Sequence, residues 1–334
     1  MLFAMGCPVS VSHALGRNMA DPVVAYVALD REFSEPLLTD YEKQSGNLIR
    51  AKYDVESTKT IGLVNLIRSE AARPRADLFW NNEIINTIRL KKSGLLAPFK
   101  PEATADFQPV FQDREHYWHG FAARARVLIV NPAKLGNMPQ PKSIYDMIDP
   151  KWRGKFGIAK PFFGTTATHC ACLYAQWGEK EADSFFAALH RNEVQVLAGN
   201  KPVAEAVAAG RLAFGLTDTD DALVMQQQGY AVKIVYPDAI GANGLGTLFI
   251  PNTLAMIKAG PNPQGASRLL NWLYRPETET RLSAGPSGQI PLSSSAKKSD
   301  RVESPSTVKP MQVDFEMAAG LFDGVMKRLA GLFV

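Results

Sequence analysis

The stretch Pro22–Gly46, PVVAYVALDREFSEPLLTDYEKQSG, contains one full turn of the pattern from which the fold is read. Pro22-Val-Val-Ala-Tyr-Val27 is a short β-branched run and predicts a strand. Phe33, Leu37, Leu38 and Tyr41 then recur at helical spacing until Ser45-Gly46 stops the helix. The unit repeats. Leu48–Tyr53 reads as a strand and Thr60–Ala72 as a helix, with Ile61, Val64 and Ile67 on one face. Ala76–Trp80 is the next strand and Ile84–Lys92 the next helix, ended by Gly94. Repeated β-α units predict an α/β fold, a mainly parallel sheet sandwiched by helices, whose strands present their C-terminal ends to ligands.

The rhythm changes at mid-chain. Tyr117–Phe121 and Arg126–Asn131 read as two extended segments. A second α/β lobe follows, with strands at 156–158, 194–197, 212–216 and 232–236 and helices at 166–177, 182–190, 203–209 and 220–228. Pro251–Lys258 reads as a return to the first lobe, followed by helices at 264–274 and 276–283. The expected division is therefore a leader at 1–22, lobe 1 from 23–122 plus 251–292, and lobe 2 from 123–250. A Ser-, Lys- and Pro-rich linker at 293–312 leads to a closing helix at 313–334, where Phe315, Ala318, Phe322, Val325 and Leu329 recur at helical spacing.

Composition agrees with a globular chain of this size. Of 334 residues, 46% are hydrophobic and 21% charged, enough apolar material for sizeable cores. The 37 basic and 33 acidic residues are mixed without a Lys/Arg block, so the sequence carries no nucleic-acid footprint. No apolar run reaches the roughly 18 residues that a membrane helix needs.

Cysteine is sparse: Cys7, Cys170 and Cys172. The last two stand at i and i+2 of a predicted helix, where side chains diverge, which argues against a disulfide between them. His169 with these thiols supplies a fragment of a zinc set, and buried small side chains are the expected role. The same trio is the one arrangement that could support a Cys/His-dependent enzyme, an alternative weakened by the divergence of neighbours on a helix. Met1-Leu-Phe-Ala-Met-Gly-Cys7 ends in Gly-Cys like the tail of a lipoprotein signal but lacks a basic start and a full apolar core. It reads either as a truncated signal, with Cys7 as lipid attachment point, or as an ordinary leader.

Several phrases together resemble one family. Ala76-Asp-Leu-Phe-Trp80 with Gly94-Leu-Leu-Ala-Pro98, Arg124-Ala-Arg-Val127, Asp149-Pro-Lys-Trp-Arg-Gly-Lys155, Gly199-Asn200 and Ala206-Val-Ala-Ala-Gly210 fall in the order and spacing of the type 2 periplasmic solute-binding proteins of ATP-driven importers. The branch is the one that includes ferric-ion binders, and the resemblance runs from about Val23 to Leu292. It implies two lobes that close on a ligand, a membrane permease as partner and a periplasmic or cell-surface location. No cofactor is required, and a bound metal ion is left open.

Candidate ligand contacts follow from strand and helix ends. Asp30, Asn82 and Glu83 come after strands of lobe 1, and Lys59 sits in the polar stretch before a helix. Each could equally start a helix as a cap or first-turn residue. Thr165 and Thr166 lie where a helix begins, so they could cap it or, with its free N–H groups, hold an anion. Arg124 and Arg126 alternate on one strand face, and one of them is expected to reach ligand. The resemblance implies anion contact for Asn200, which by itself reads as a cap or turn residue.

The segment Phe214–Leu223, FGLTDTDDAL, departs from the ferric branch. There the resemblance implies adjacent tyrosines, whereas this chain has Thr217-Asp-Thr-Asp-Asp221 and no tyrosine between Tyr174 and Tyr230. Asp218 or Thr219 can cap a helix and the remaining acids suit its first turn, but caps do not require three carboxylates. Asp218 and Asp220 are therefore candidates for holding an amine or a metal, with Thr166 and Asn200 taking an anionic group. The expected ligand is a zwitterion such as an aminophosphonate, or a metal with a partner anion. The alternative is ferric iron in an atypical site without tyrosine.

Overall fold

A computed structural model describes residues 21–54, 61–239 and 244–333; Cys7 and Lys59 lie outside them. The first units form as the pattern predicts. Strand β1 (Val23–Val27) leads to α1 (Arg31–Ser45), and Gly46 ends that helix in the left-handed region, φ 71°, with its N–H on Glu42. Strand β2 (Ile49–Tyr53), α2 (Ile61–Ser69), β3 (Leu78–Asn81), α3 (Ile85–Lys92) and the short β4 (Leu96–Ala97) complete this half.

The two extended segments expected at mid-chain are one 12-residue strand, β5 (His119–Val130), buried throughout. After it come β6 (Phe156–Ala159), α4 (Gly164–Trp177), α5 (Glu179–Arg191), β7 (Gln195–Leu197), α6 (Asn200–Ala208), β8 (Phe214–Asp218), α7 (Thr219–Gln227) and β9 (Lys233–Val235). The return strand is β10 (Phe249–Ile257), followed by α8 (Pro263–Leu273), α9 (Pro276–Ala284) and α10 (Phe315–Phe333).

Strand order across the described residues is β2-β1-β3-β10-β5-β8-β6-β7, with β4 beside β10 and β9 beside β5. β1, β2 and β3 are parallel, as are β6, β7 and β8; β10 and β5 run against them. One strand serves both halves. Residues 119–125 of β5 pair with β10, whereas 126–130 pair with β8. Register shifts between Ile250 and Asn252, opposite Ala122, whose φ is 45°. The break in both strands falls at one level, between the halves, where a hinge would lie.

The stretch 293–312 is bonded on both sides. Ser294 N–H donates to Asp106 and Lys297 N–H to Thr280 on one side, and Glu303 N–H donates to Tyr236 and Met311 N–H to Thr247 on the other. α10 then buries Phe315, Ala318, Phe322, Val325 and Leu329 across α3, α4 and α5. Its rim is ionic: Lys92 pairs with Glu316 at 3.1 Å, Arg89 with Asp323, and Arg328 with Asp183 at 3.1 Å.

Candidate functional site

Helix starts and strand ends converge on one small pocket between the sheet halves, with room for about one water, ≈ 20 Å³. From the first half, Asp30 stands at the N-cap of α1 and Asn82 follows β3. Arg124 enters from β5 beside the hinge. From the second half come Gly164 and Thr165 at the start of α4, Asn200 at the start of α6, and Asp218, Asp220 and Asp221 at the junction of β8 and α7.

The acids are held by guanidinium groups. Arg126 donates to Asp218 Oδ1 at 2.6 Å, to Asn200 Oδ1 at 3.0 Å, and to the hydroxyls of Thr165 and Thr166 at 3.2 Å each. Thr165 Oγ1 and Asn200 Nδ2 donate to Asp218 Oδ2 at 2.5 and 3.0 Å. Arg124 reaches Asp220 Oδ2 at 3.3 Å and the carbonyl of Asn82 across the cleft. Burial pushes the Asp218 carboxyl up, but Arg126 and Arg124 outweigh it, and the group lies below the usual carboxylate range. Burial opposes the Arg124 charge, while Asp220, Asp218, Asp30 and Asp221 reverse that and hold its guanidinium more firmly protonated than usual.

Arg124 lines the pocket and Arg126 stands behind it. Asp30, Asn82, Thr165, Asn200, Asp218 and Asp220 are brought together. Thr166 is placed differently: it is buried outside the pocket lining and bonded to Arg126 and Asn200. Glu83 is a correction. Its side chain turns inward, accepts from the N–H groups of Ile85 and Asn86 and from Asn81 and Thr168, and so fastens the start of α3 to α4 instead of facing ligand.

The capping roles are also corrected. The N-cap of α4 is Phe163, without a side-chain bond, and Thr165 and Thr166 lie inside the first turn. Asp218 occupies the N-cap of α7, yet its side chain goes to Arg126, Arg124 and Thr165, because a buried guanidinium is the stronger partner. Asn200 is the first residue of α6, after Gly199 at the N-cap.

Asp221, which the sequence marks as one of three neighbouring acids, also lines the pocket. Gln289 donates to Asp220 Oδ2 at 3.2 Å from a segment distant in sequence, and nothing in the residues around it marked it.

The carboxylate oxygens of Asp218, Asp220 and Asp221 lie within 4.8 Å of one another, a spacing that a metal ion could span. No tyrosine lines the pocket among the described residues. Elsewhere on α4, His169 borders a wholly apolar cavity of ≈ 20 Å³ with Cys170. Burial lowers the imidazole to about 3 and raises the Cys170 thiol to about 12, so near neutral pH the pair supplies neither thiolate nor effective base. Trp80, Trp118 and Phe121 are core residues, Trp80 and Phe121 with ring centroids 5.4 Å apart. A larger open groove of ≈ 850 Å³ between α3 and the start of α10 lies away from the strand ends, its Lys91 already paired with Asp113 and Glu115.

Two α/β halves joined by shared strands, with a polar pocket between them, define a two-lobed type 2 periplasmic-binding-protein fold. Residues 76–316 match the family model described as bacterial extracellular solute-binding protein, and the chain belongs to that family. The Fe(3+)-binding periplasmic protein of Serratia marcescens is 26% identical over 194 residues, 58% of this chain and 56% of the relative. The putative 2-aminoethylphosphonate-binding periplasmic protein of Salmonella typhi is 26% identical over 229 residues, 66% of this chain and 64% of the relative. The chain thus spans less than two thirds of either relative. Among solved structures, iron-bound HitA from Pseudomonas aeruginosa superposes with a TM-score of 0.84 at 21% identity, over 94% of this chain and 99% of that one, and supports the fold alone.

Proposed function

We propose that this protein is the substrate-binding component of an ATP-driven importer and that it captures, by lobe closure, a small polar ligand carrying both a cationic and an anionic group. One observation carries the reading: four aspartates, Asp30, Asp218, Asp220 and Asp221, line one pocket between the halves together with Arg124, and Arg126 stands behind Asp218. The carboxylates clustered there suit an ammonium group or a metal ion. Arg124, the Thr165 hydroxyl and the N–H groups at the start of α4 suit the anionic end. A ligand of several atoms exceeds the present ≈ 20 Å³, so it enters when the halves part, and the halves close on it to a wider pocket than the present one.

No covalent step belongs to this role, and the state of His169 and Cys170 supports a binding protein over a Cys/His enzyme. The partner is a permease that receives the closed form, and the location is the periplasm or cell surface, with Cys7 as the lipid attachment point if the leader is processed there. A second reading, a metal with a partner anion, rests on the three carboxylates within 4.8 Å. In that reading ferric iron would bind without tyrosine.

Thermal-shift titration with 2-aminoethylphosphonate and with ferric citrate, beside native mass spectrometry, separates these readings. Ligand at a hundredfold excess over Kd stabilises by about 2.7 kcal/mol. A shift with the aminophosphonate that is lost in Asp220→Ala supports the zwitterion. A stoichiometric ferric ion with visible absorbance, insensitive to Asp218→Ala and Asp220→Ala, overturns both readings of the acid cluster. No shift with either probe rejects these ligand assignments.

A further inference from the structure

Gln289 is wholly buried beside the hinge and bonded in two directions. Its amide N–H donates to Asp220 Oδ2 at 3.2 Å, the oxygen that Arg124 also engages at 3.3 Å. Its carbonyl oxygen accepts from Asn252 Nδ2 at 2.9 Å, and the same Asn252 amide donates to the carbonyl of Ala122. Asn252 and Ala122 are the positions at which β10 and β5 break register between the two halves. Two side chains, Gln289 and Asn252, therefore connect a pocket carboxylate on α7 with both hinge strands.

The segment is built to hold Gln289 there. Gly288 has φ 52°, a conformation that other residues adopt only with strain, and a Cβ on it would lie 2.5 Å from Leu223 Cδ1, so that side chain would have to shift. Ile290 exchanges two backbone hydrogen bonds of 2.7 Å with Ala123. Glu279 accepts from the N–H groups of Ala122, Leu292 and Ser293 at 2.6 to 2.9 Å, which ties the segment and the hinge strand to one carboxylate.

We propose that Gln289 is a positioning residue that couples the pocket to the hinge, because it bonds Asp220 of α7 on one side and Asn252 of β10 on the other. The inference rests on Asp220 belonging to the ligand site as read above. In this arrangement the Asp220–Gln289 bond favours the closed form before ligand arrives. A ligand that draws on Asp220 acts on the same relay, so occupancy and closure bias one equilibrium.

The test uses small-angle scattering of the ligand-free full chain, so its failure is distinct from a failed choice of ligand. Wild type is expected near the radius of gyration of about 20 Å for a compact chain of this length. Gln289→Glu sets a carboxylate against Asp220 and should raise that radius. Adding Asp220→Asn restores a donor opposite the new carboxylate and should return it to the wild-type value, a rescue that loss of packing would not give. If Gln289→Glu fails to fold, Gln289→Met, which keeps bulk and drops both bonds, should still raise the radius. A single variant that scatters as wild type, or a double variant as open as the single, overturns the proposal.

Discussion

At the scale of single residues, the site is a set of charges kept out of water. Arg126 is almost wholly buried and its strongest partner is Asp218 at 2.6 Å, so Asp218→Ala leaves a buried guanidinium held only by hydroxyl and amide groups. Breaking a buried pair in this way costs about 3–5 kcal/mol, and the urea midpoint of Asp218→Ala should fall accordingly. An unchanged midpoint would mean that the pair contributes nothing to the closed form. Glu279 gives a pH signature. Burial raises its carboxyl from 4.5 to about 7 despite three N–H donors. Between those values the folded chain keeps a proton that the unfolded chain has lost, so this group's contribution falls as pH rises from 4.5 to 7, by on the order of 3 kcal/mol. Denaturant unfolding of wild type and Glu279→Gln at pH 5 and pH 7.5 isolates the effect, since the buried histidines are common to both. Wild type should lose stability relative to the variant at the higher pH; a constant difference would reject the assignment.

At the scale of elements, much was legible because local pattern and tertiary fold agree. Leu37, Leu38 and Tyr41 are the buried face of α1, as their spacing predicts, and Gly46 ends the helix in the conformation for which glycine is suited. What the sequence hid was decided by distant partners. Ala122-Ala-Arg-Ala125 reads as a break between two extended runs, yet pairing with β10 on one part and β8 on the other carries β5 straight through. Glu83 looks like a pocket acid until Thr168 of α4 and the amides of α3 claim it. Gln289 has no local signal, since only the folded chain brings it to Asp220. Element packing also yields a test. A Cβ on Gly215 of β8 would lie 2.4 Å from Val203 Cγ1 on α6. Gly215→Ala should therefore lift α6, whose first residue is Asn200, and cost about 1–3 kcal/mol by overpacking. A loss of pocket affinity beyond any loss of stability is expected with it, read by titration below the melting range; wild-type affinity at lowered stability would detach α6 from the site.

At the scale of the whole molecule, the two halves are not beads on a string. β5 belongs to both sheets, β10 returns to flank it, the stretch 293–312 is bonded on both sides, and α10 lies across α3, α4 and α5. The local break in the shared strands lies where Ala122, Asn252 and Ile290 meet, and the closure proposed above would bend about those residues. The shared strand also orders the birth of the structure. The C-terminal part of β5 finds β8 and β9 within about a hundred residues of chain, whereas its N-terminal part waits for β10, near residue 250. Closing the larger loop carries the greater entropic cost, so the second half should acquire its ladder first. Pulse-labelled hydrogen exchange during refolding should find the amides that join β5 to β8 protected before those that join it to β10; the reverse order would reject this route. Until β10 arrives, the early part of β5, every residue of which is buried in the finished fold, is an unpaired sheet edge. For that interval the newborn chain carries a template for pairing with its neighbours, and shielding of nascent chains at that stage is what its yield would depend on.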